Sequence, residues 1–278
     1  MPQRTLALAG GGTHSPARRA LQSTWHGISS LGGTVAVLLV FEILGRTGVL
    51  PARFLPPPSE VIVTLVQLLA GGEAWAAIGL TLLGWALGLG IAIVIAVPVG
   101  TLLGTSEFAF RATRAIVEFL RPVPSVALIP LAYLIFKPGT IDGKVFLAAF
   151  AAIWPLLVQT IYGVRSINPL QLDTARSFQI PRWSAFARVV VPGSVPYLAT
   201  GVRISSSVAL ILAVTGEIIM GAPGVGMQIN LASQGGAVPE MYAYVVISGA
   251  LGLGLNLMFA ALERRVLHWH ASQRGVRP

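Results

Sequence analysis

The sequence contains no cysteine, which excludes both a disulfide framework and a thiolate metal site. Charge is scarce as well: 10% of the 278 residues are Asp, Glu, Lys or Arg, against 54% that are apolar. Ordinary soluble domains carry about a quarter charged residues, so this chain cannot cover a water-facing surface in the usual way. Its mean hydropathy of +0.77 makes lipid the better solvent. The histidines are His14, His26, His268 and His270, all close to the chain ends. The closest pair is spaced i, i+2, which on a helix points the rings apart, so no metal site is expected. There is no G-x-x-x-x-G-K-[ST] phosphate loop, and the chain is therefore not itself a P-loop ATPase. It also lacks the cluster of His or carboxylates that a membrane-embedded enzyme needs. The net charge of +9 is not read as a nucleic-acid surface, because Lys and Arg lie between apolar runs with no basic and aromatic module among them.

What is present in abundance is long apolar runs. Crossing a hydrocarbon core takes about 20 helical residues, and runs of that order occupy 28–50, 74–103, 115–136, 145–164, 197–220 and 242–262. The expected fold class is an all-α membrane protein. Arg121, Pro122 and Pro124 interrupt the third run. Residues 1–27 read as a cytoplasmic tail leading into a retained helix, because the first apolar run has no small-residue cleavage pattern. Residues 28–265 form the membrane domain, and 266–278 a second cytoplasmic tail. With both ends inside, Lys and Arg divide 15 to 4 in favour of the cytoplasm, leaving only Arg46, Arg53, Lys137 and Lys144 outside. That bias follows the positive-inside rule and fixes the orientation.

Between the first two runs, Pro56, Pro57 and Pro58 break any helix and Ser59 can cap a short interfacial helix over 60–70. Trp75, Trp154 and Tyr197 are read near span ends, where their rings suit the headgroup layer; ordinary packing is the alternative. Gly84 and Gly88, and Gly100 and Gly104, form G-x-x-x-G spacings that let backbones approach closely, either within the chain or between two copies. Glu42 with Arg46, and Arg114 with Glu118, are spaced for local ion pairs.

A charge at mid-membrane costs about 2.5–3.5 kcal/mol on the insertion scale, so polar groups inside spans are candidate pathway residues. Glu217 heads them, with a structural role in bonds to backbone or hydroxyl as the alternative. Ser205 and Ser206 follow, though serines also bond their own helix carbonyls. Gln159 and Asn256 are weaker candidates.

The most informative stretch is the cytoplasmic connection 166–192. Asn168 can cap a helix that Pro169 opens and that continues to Gln179; Pro181 ends it and permits a second, which Pro192 stops near 191. Leu172, Phe178, Ile180, Trp183 and Phe186 then lie beside Asp173, Arg176, Arg182 and Arg188, an amphipathic pair. Such a pair either docks a partner or lies on anionic lipid.

The run Leu172-Asp173-Thr174-Ala175-Arg176-Ser177-Phe178-Gln179, followed after nine residues by Val189-Val190-Val191-Pro192-Gly193, resembles the E-A-A-x-x-x-G-(nine residues)-I-x-L-P loop of binding-protein-dependent ABC permeases. Asp173 stands for the motif Glu and Gln179 for its Gly. Leu55-Pro56-Pro57-Pro58-Ser59, Leu120-Arg121-Pro122-Val123-Pro124, Ala175-Arg176-Ser177-Phe178 and Leu262-Glu263-Arg264-Arg265 resemble the nitrate/sulfonate/taurine branch. The resemblance implies a type I importer-like fold of about six spans, with Asp173, Thr174, Ala175, Arg176, Ser177, Phe178 and Gln179 coupling to an ATPase. It further implies an inner-membrane homodimer in lipid, two copies of an ATPase that bind the ATP and Mg, a periplasmic or lipid-anchored binding protein, and no cofactor in this chain. The implied cargo is a small anionic solute such as a sulfonate, taurine or nitrate. An ion-gradient-driven secondary transporter is the competing reading; it is expected to show intramembrane carboxylates and two related halves, whereas Glu217 stands nearly alone. At the motif glycine, Gln179 requires either a turn without positive φ or a strained residue, at a cost of order 1 kcal/mol.

Overall fold

The computed structural model describes residues 32–33, 35–47, 51 and 54–267. The expected tail over 1–27, the ends of the first apolar run, Arg53, the tail from 268 on and all four histidines lie outside the described residues. Among those described, every regular element is helical. The chain divides into two compact units, Met1–Glu60 and Val61–Pro278.

In the first unit, residues 35–46 form helix α1, and α2 (Pro58–Gly71) begins at its end. Ser59 does not cap α2 in the way the sequence suggested. Pro58 opens the helix, leaving the Ser59 N–H as the donor in need of a partner, and the Glu42 carboxylate accepts it at 3.0 Å. Ser59 Oγ donates to the same carboxylate at 2.7 Å, and Arg46 closes the set through its i, i+4 pair with Glu42.

The second unit is built around α6 (Ile141–Arg165), which packs between α3 (Glu73–Thr105) and α9 (Val191–Met220). Small residues make the close approach possible. A Cβ placed on Gly88 would lie 2.6 Å from the Ala148 Cβ, on Gly100 2.7 Å from Thr160 and on Gly104 2.6 Å from Val164. Both G-x-x-x-G spacings therefore serve an intrachain α3–α6 seam, where van der Waals packing replaces the absent hydrophobic drive. Ala92, Ala148, Ala152, Ala209 and Ala213 continue it as a core of small side chains with no exposure.

The third apolar run is not one straight span. It is α4 (Glu107–Leu120), a turn, a 3-10 segment Ser125–Leu128 and α5 (Ile129–Ile135), bent by 84° at the break. Pro122 and Pro124 remove two helical donors and push their preceding residues toward extended conformations, which accounts for the break. α4 carries the expected Arg114–Glu118 pair at 2.7 Å and also Arg111–Glu107 at 2.8 Å.

After α6 come α7 (Pro169–Ser177) and α8 (Arg182–Ala185). Pro192 does not stop the second short helix. A π-helical turn over Phe186–Val190 leads directly into α9, which starts six residues before the run at 197. In α-geometry a proline loses the bond to residue i−4 and clashes with that carbonyl; the wider π turn accommodates it. Gly221, at φ 65°, ends α9 in the left-handed conformation, and α10 (Val225–Gln234) and α11 (Val238–Val266) follow. α10 does not stand out as an apolar run in the sequence, because its ten residues are too short to span.

Among the described residues four helical segments are long and apolar enough to cross a membrane, and the bent α4–α5 pair makes five where it is counted as one broken span rather than a re-entrant loop. Their outer faces carry apolar side chains such as Val94, Leu134 and Ile211, each more than half exposed.

Candidate functional site

Two polar regions stand out against this apolar background. The first is the α7–α8 hairpin. Asn168 Oδ1 accepts the Leu170 N–H at 2.9 Å, with Pro169 in the first turn, as the residue types require. The far end closes with the Ile180 N–H donating to the Ala175 carbonyl at 3.0 Å and the Gln179 N–H to that of Arg176 at 2.9 Å. Those two bonds make a Schellman motif, whose penultimate position favours glycine. Gln179 occupies it at φ 54°, the only non-glycine with positive φ among the described residues. The strained alternative is thus the one adopted.

The hairpin sorts its side chains. Ala175 is buried, and Leu172, Ile180 and Phe186 line a cleft against α3, α4 and α6, with Ile180 at its open edge. Leu170, Phe178 and Trp183 point away and are 70–77% exposed, with Trp183 stacked on Phe186 at 5.6 Å. Asp173 and Arg176 form an exposed i, i+3 pair at 3.0 Å. Thr174 Oγ1 donates to the Leu170 carbonyl and Ser177 Oγ to that of Asp173, so both hydroxyls are tied to their own helix.

The second region is buried. Lys144, grouped by sequence with the outer charges, lies inside α6 with no exposure, one residue before the run that began at 145. Its Nζ donates to Glu217 Oε1 at 2.6 Å, to the Leu80 carbonyl at 2.9 Å and to the Pro223 carbonyl at 2.6 Å. Glu217, equally buried and on α9, accepts through Oε2 from Thr81 Oγ1 and from the Gly226 N–H, both at 2.9 Å. Thr81 Oγ1 in turn accepts the Val225 N–H at 2.9 Å. Every ammonium proton has an acceptor, as a buried pair requires if its attraction is to offset desolvation. One cluster thereby ties α3, α6, α9 and the start of α10, and Glu217 is not the lone charge that the sequence suggested. The recognisable signal was one amine and one carboxylate stranded in apolar sequence.

Of the other pathway candidates, Ser205 is buried and donates to the Ala152 carbonyl at 2.8 Å, joining α9 to α6. Ser206 is buried too, and its carbonyl accepts from Trp85 Nε1. Asn256 Oδ1 accepts from Arg203 Nε at 2.8 Å. Gln159 sits at the α6–α9 seam, its Cβ 2.9 Å from where a Cβ on Gly201 would be. Neither Glu217 nor Ser205 lies beside the hairpin. Trp154 falls in the middle of α6 rather than at a span end, in an edge contact with Phe150 at 5.6 Å, and Trp75 Nε1 donates to the Leu69 carbonyl. No group of three or more potential metal ligands occurs among the described residues.

A bundle of apolar helices, knit by a closed ion-pair cluster and carrying an outward aromatic edge on a connecting hairpin, is the architecture of a polytopic membrane protein. Residues 88–268 match the family described as the inner membrane component of binding-protein-dependent transport systems. This is well over half the chain, and the chain belongs to that family.

Similar proteins include the putative aliphatic sulfonates transport permease protein of Bacillus subtilis (strain 168), 27% identical over 86% of both chains. The taurine transport system permease protein of Escherichia coli (strain K12) is 29% identical over 86% of this chain and 88% of its own. A probable ABC transporter permease protein of Brucella melitensis is 32% identical over 82% and 91%. A methionine ABC transporter solved in inward-facing conformations shares the fold, with TM-score 0.59, 18% identity and 67% of this chain and 93% of that one covered. So does an amino acid ABC transporter, at TM-score 0.59, 16% identity and 72% and 97% coverage. The chain is thus a multi-pass inner-membrane permease subunit of an ATP-driven importer. It is not an enzyme. ATP is hydrolysed on a separate subunit, and an ATPase and a binding protein are its partners by family. Membrane subunits of this family are, in general, free of cofactors.

Proposed function

We propose that two copies of this chain form the pathway for a small anionic solute, handed over by a periplasmic or lipid-anchored binding protein and released into the cytoplasm. Relatives named for sulfonates, taurine, nitrate and bicarbonate support that solute class. The domain layout, with cytoplasmic tails and the coupling loop over 166–192 on the same side, follows from the Lys and Arg bias. Each hairpin docks into one of two ATPase subunits, which hold ATP and Mg. Closure of that ATPase pair then moves α7 and α8 as rigid bodies and tilts the attached spans.

The observation that carries the coupling role is the uncovered edge of Leu170, Phe178 and Trp183 on a hairpin capped at both ends. Large apolar side chains presented singly on a polar, ordered element are typical anchors of an interface. In this role Phe178 fills a pocket of the ATPase, and Asp173 and Arg176 exchange their mutual pair for partner groups. Thr174, Ala175, Ser177 and Gln179 hold the shape. Among the pathway candidates, Glu217, Ser205 and Ser206 are assigned to helix packing near the pathway and Gln159 to its wall, since its amide has no hydrogen-bond partner among the described residues. An ion-gradient carrier would need a titratable group open to the pathway, and the closed bonding of Glu217 argues against it. The test is reconstitution with the ATPase and binding protein. Arg176→Glu should insert normally and lose ATP-dependent uptake, and unchanged uptake would refute the assignment.

A further inference from the structure

The hairpin has a second, inward side. Between α7–α8 and the end of α3, the start of α4 and the end of α6 lies a cleft of about 660 Å³, within the range of roughly 300–1,000 Å³ that suits small ligands. Three arginines from three elements line it: Arg165 of α6, Arg176 of α7 and Arg182 of α8. Glu107 lines the cleft as well and holds Arg165 at 2.6 Å, while Arg176 is paired with Asp173 at 3.0 Å. Arg182 has no carboxylate within reach, and all ten Asp and Glu of the sequence are among the described residues. The ionised side chains of the terminal stretches are all basic. Leu172, Ile180 and Phe186 give the same cleft an apolar wall.

We propose that this cleft binds an oxyanion on an apolar stem, a sulfonate or phosphate monoester group, with Arg182 as its principal ligand and Arg165 and Arg176 at the rim. A guanidinium offers paired N–H donors matched to such oxygens, and those bonds are charge-assisted. Resting on the importer assignment, the consequence is regulatory. An anion that bridges Arg182 on the hairpin to Arg165 on α6 holds the coupling element against the spans and slows the ATP-driven cycle. The same chemistry has two sources at this face: the imported solute once it has accumulated, and the headgroup of an acidic phospholipid.

The experiment uses the permease–ATPase complex in nanodiscs, with butanesulfonate titrated calorimetrically and ATP hydrolysis followed in parallel. In phosphatidylcholine discs butanesulfonate should bind and slow hydrolysis. Arg182→Gln should weaken that binding roughly tenfold, the loss expected for a charge-assisted bond. Ala185→Leu, which fills the cleft from α8, should act in the same direction, while Arg188→Gln, outside the cleft, should leave binding unchanged. If lipid is the natural occupant, phosphatidylglycerol discs should slow hydrolysis without sulfonate and block its binding, and both effects should vanish in Arg182→Gln. Binding and hydrolysis identical in the parent, Arg182→Gln and Ala185→Leu in both lipids would overturn the site. Binding-protein-stimulated hydrolysis that survives in the same samples would leave the importer assignment standing.

Discussion

The Lys144–Glu217 cluster and the α7–α8 hairpin treat polar and apolar groups in opposite ways. In the cluster both charges are fully buried and every donor of Lys144 meets an acceptor. On the hairpin an ion pair lies open to solvent, two aromatic rings face outward, and a non-glycine sits in left-handed geometry. Closed bonding ties α3, α6 and α9 to one another through side chains as well as through packing. Open bonding leaves large apolar and charged groups on the surface, as the proposed coupling role requires. In that proposal the cluster is a stiff frame and the hairpin its handle.

The largest effect is expected at Glu217. Glu217→Ala leaves the Lys144 ammonium buried and unpaired, and breaking such a pair from one side costs about 3–5 kcal/mol. The purified subunit should therefore unfold at much lower temperature in detergent. The double variant Lys144→Met, Glu217→Leu should be less destabilised than Glu217→Ala alone, because no charge is stranded, although the Gly226 N–H and Thr81 hydroxyl lose their acceptor. Equal stability of Glu217→Ala and the parent would show that the cluster does not hold the frame.

Phe178 sharpens the other side. Its ring is 77% exposed, so Phe178→Ala should leave the melting temperature of the isolated subunit within the range of ordinary surface changes, about 0.5 kcal/mol. Association with the ATPase should weaken by about 2 kcal/mol, the scale of an interface anchor. A pull-down titration and a melting curve on the same preparation separate the two effects. A loss of stability with unchanged association would mean that the ring supports the hairpin itself.

Much of this was legible from residue types, and the exceptions have physical causes. The apolar runs located α3, α6, α9 and α11, because lipid imposes length and hydropathy with few compensations. Asn168 and Pro169 marked the start of α7 because capping is local. The 84° break was only half visible: Pro122 and Pro124 flagged it, but the bend angle depends on packing against α6. Lys144 was misplaced because a one-residue boundary separates a loop amine from a buried one, and its acceptors at Leu80, Glu217 and Pro223 lie 64 to 79 residues away in sequence. Local patterns do not report such partners. Pro192 misled in the same way, since a stop signal for an α-helix can be absorbed by a π turn.

The smallest effect tests the strain. α9 ends on Gly221 at φ 65°, the residue type that this geometry favours, whereas α7 ends on Gln179 at φ 54°. A side chain there costs about 1 kcal/mol relative to glycine. Part of that is offset in the variant, because glycine gives the unfolded chain more freedom. Gln179→Gly should accordingly firm the turn by a few tenths of a kcal/mol up to about 1 kcal/mol, seen as slower hydrogen exchange at the Ile180 amide that closes the motif. The Gly221 end of α9 provides the internal reference and should not change. Faster exchange in Gln179→Gly would mean that the Gln side chain stabilises the turn by more than its backbone strain costs. In that case the departure from glycine is a feature of how this hairpin is held, not a tolerated defect.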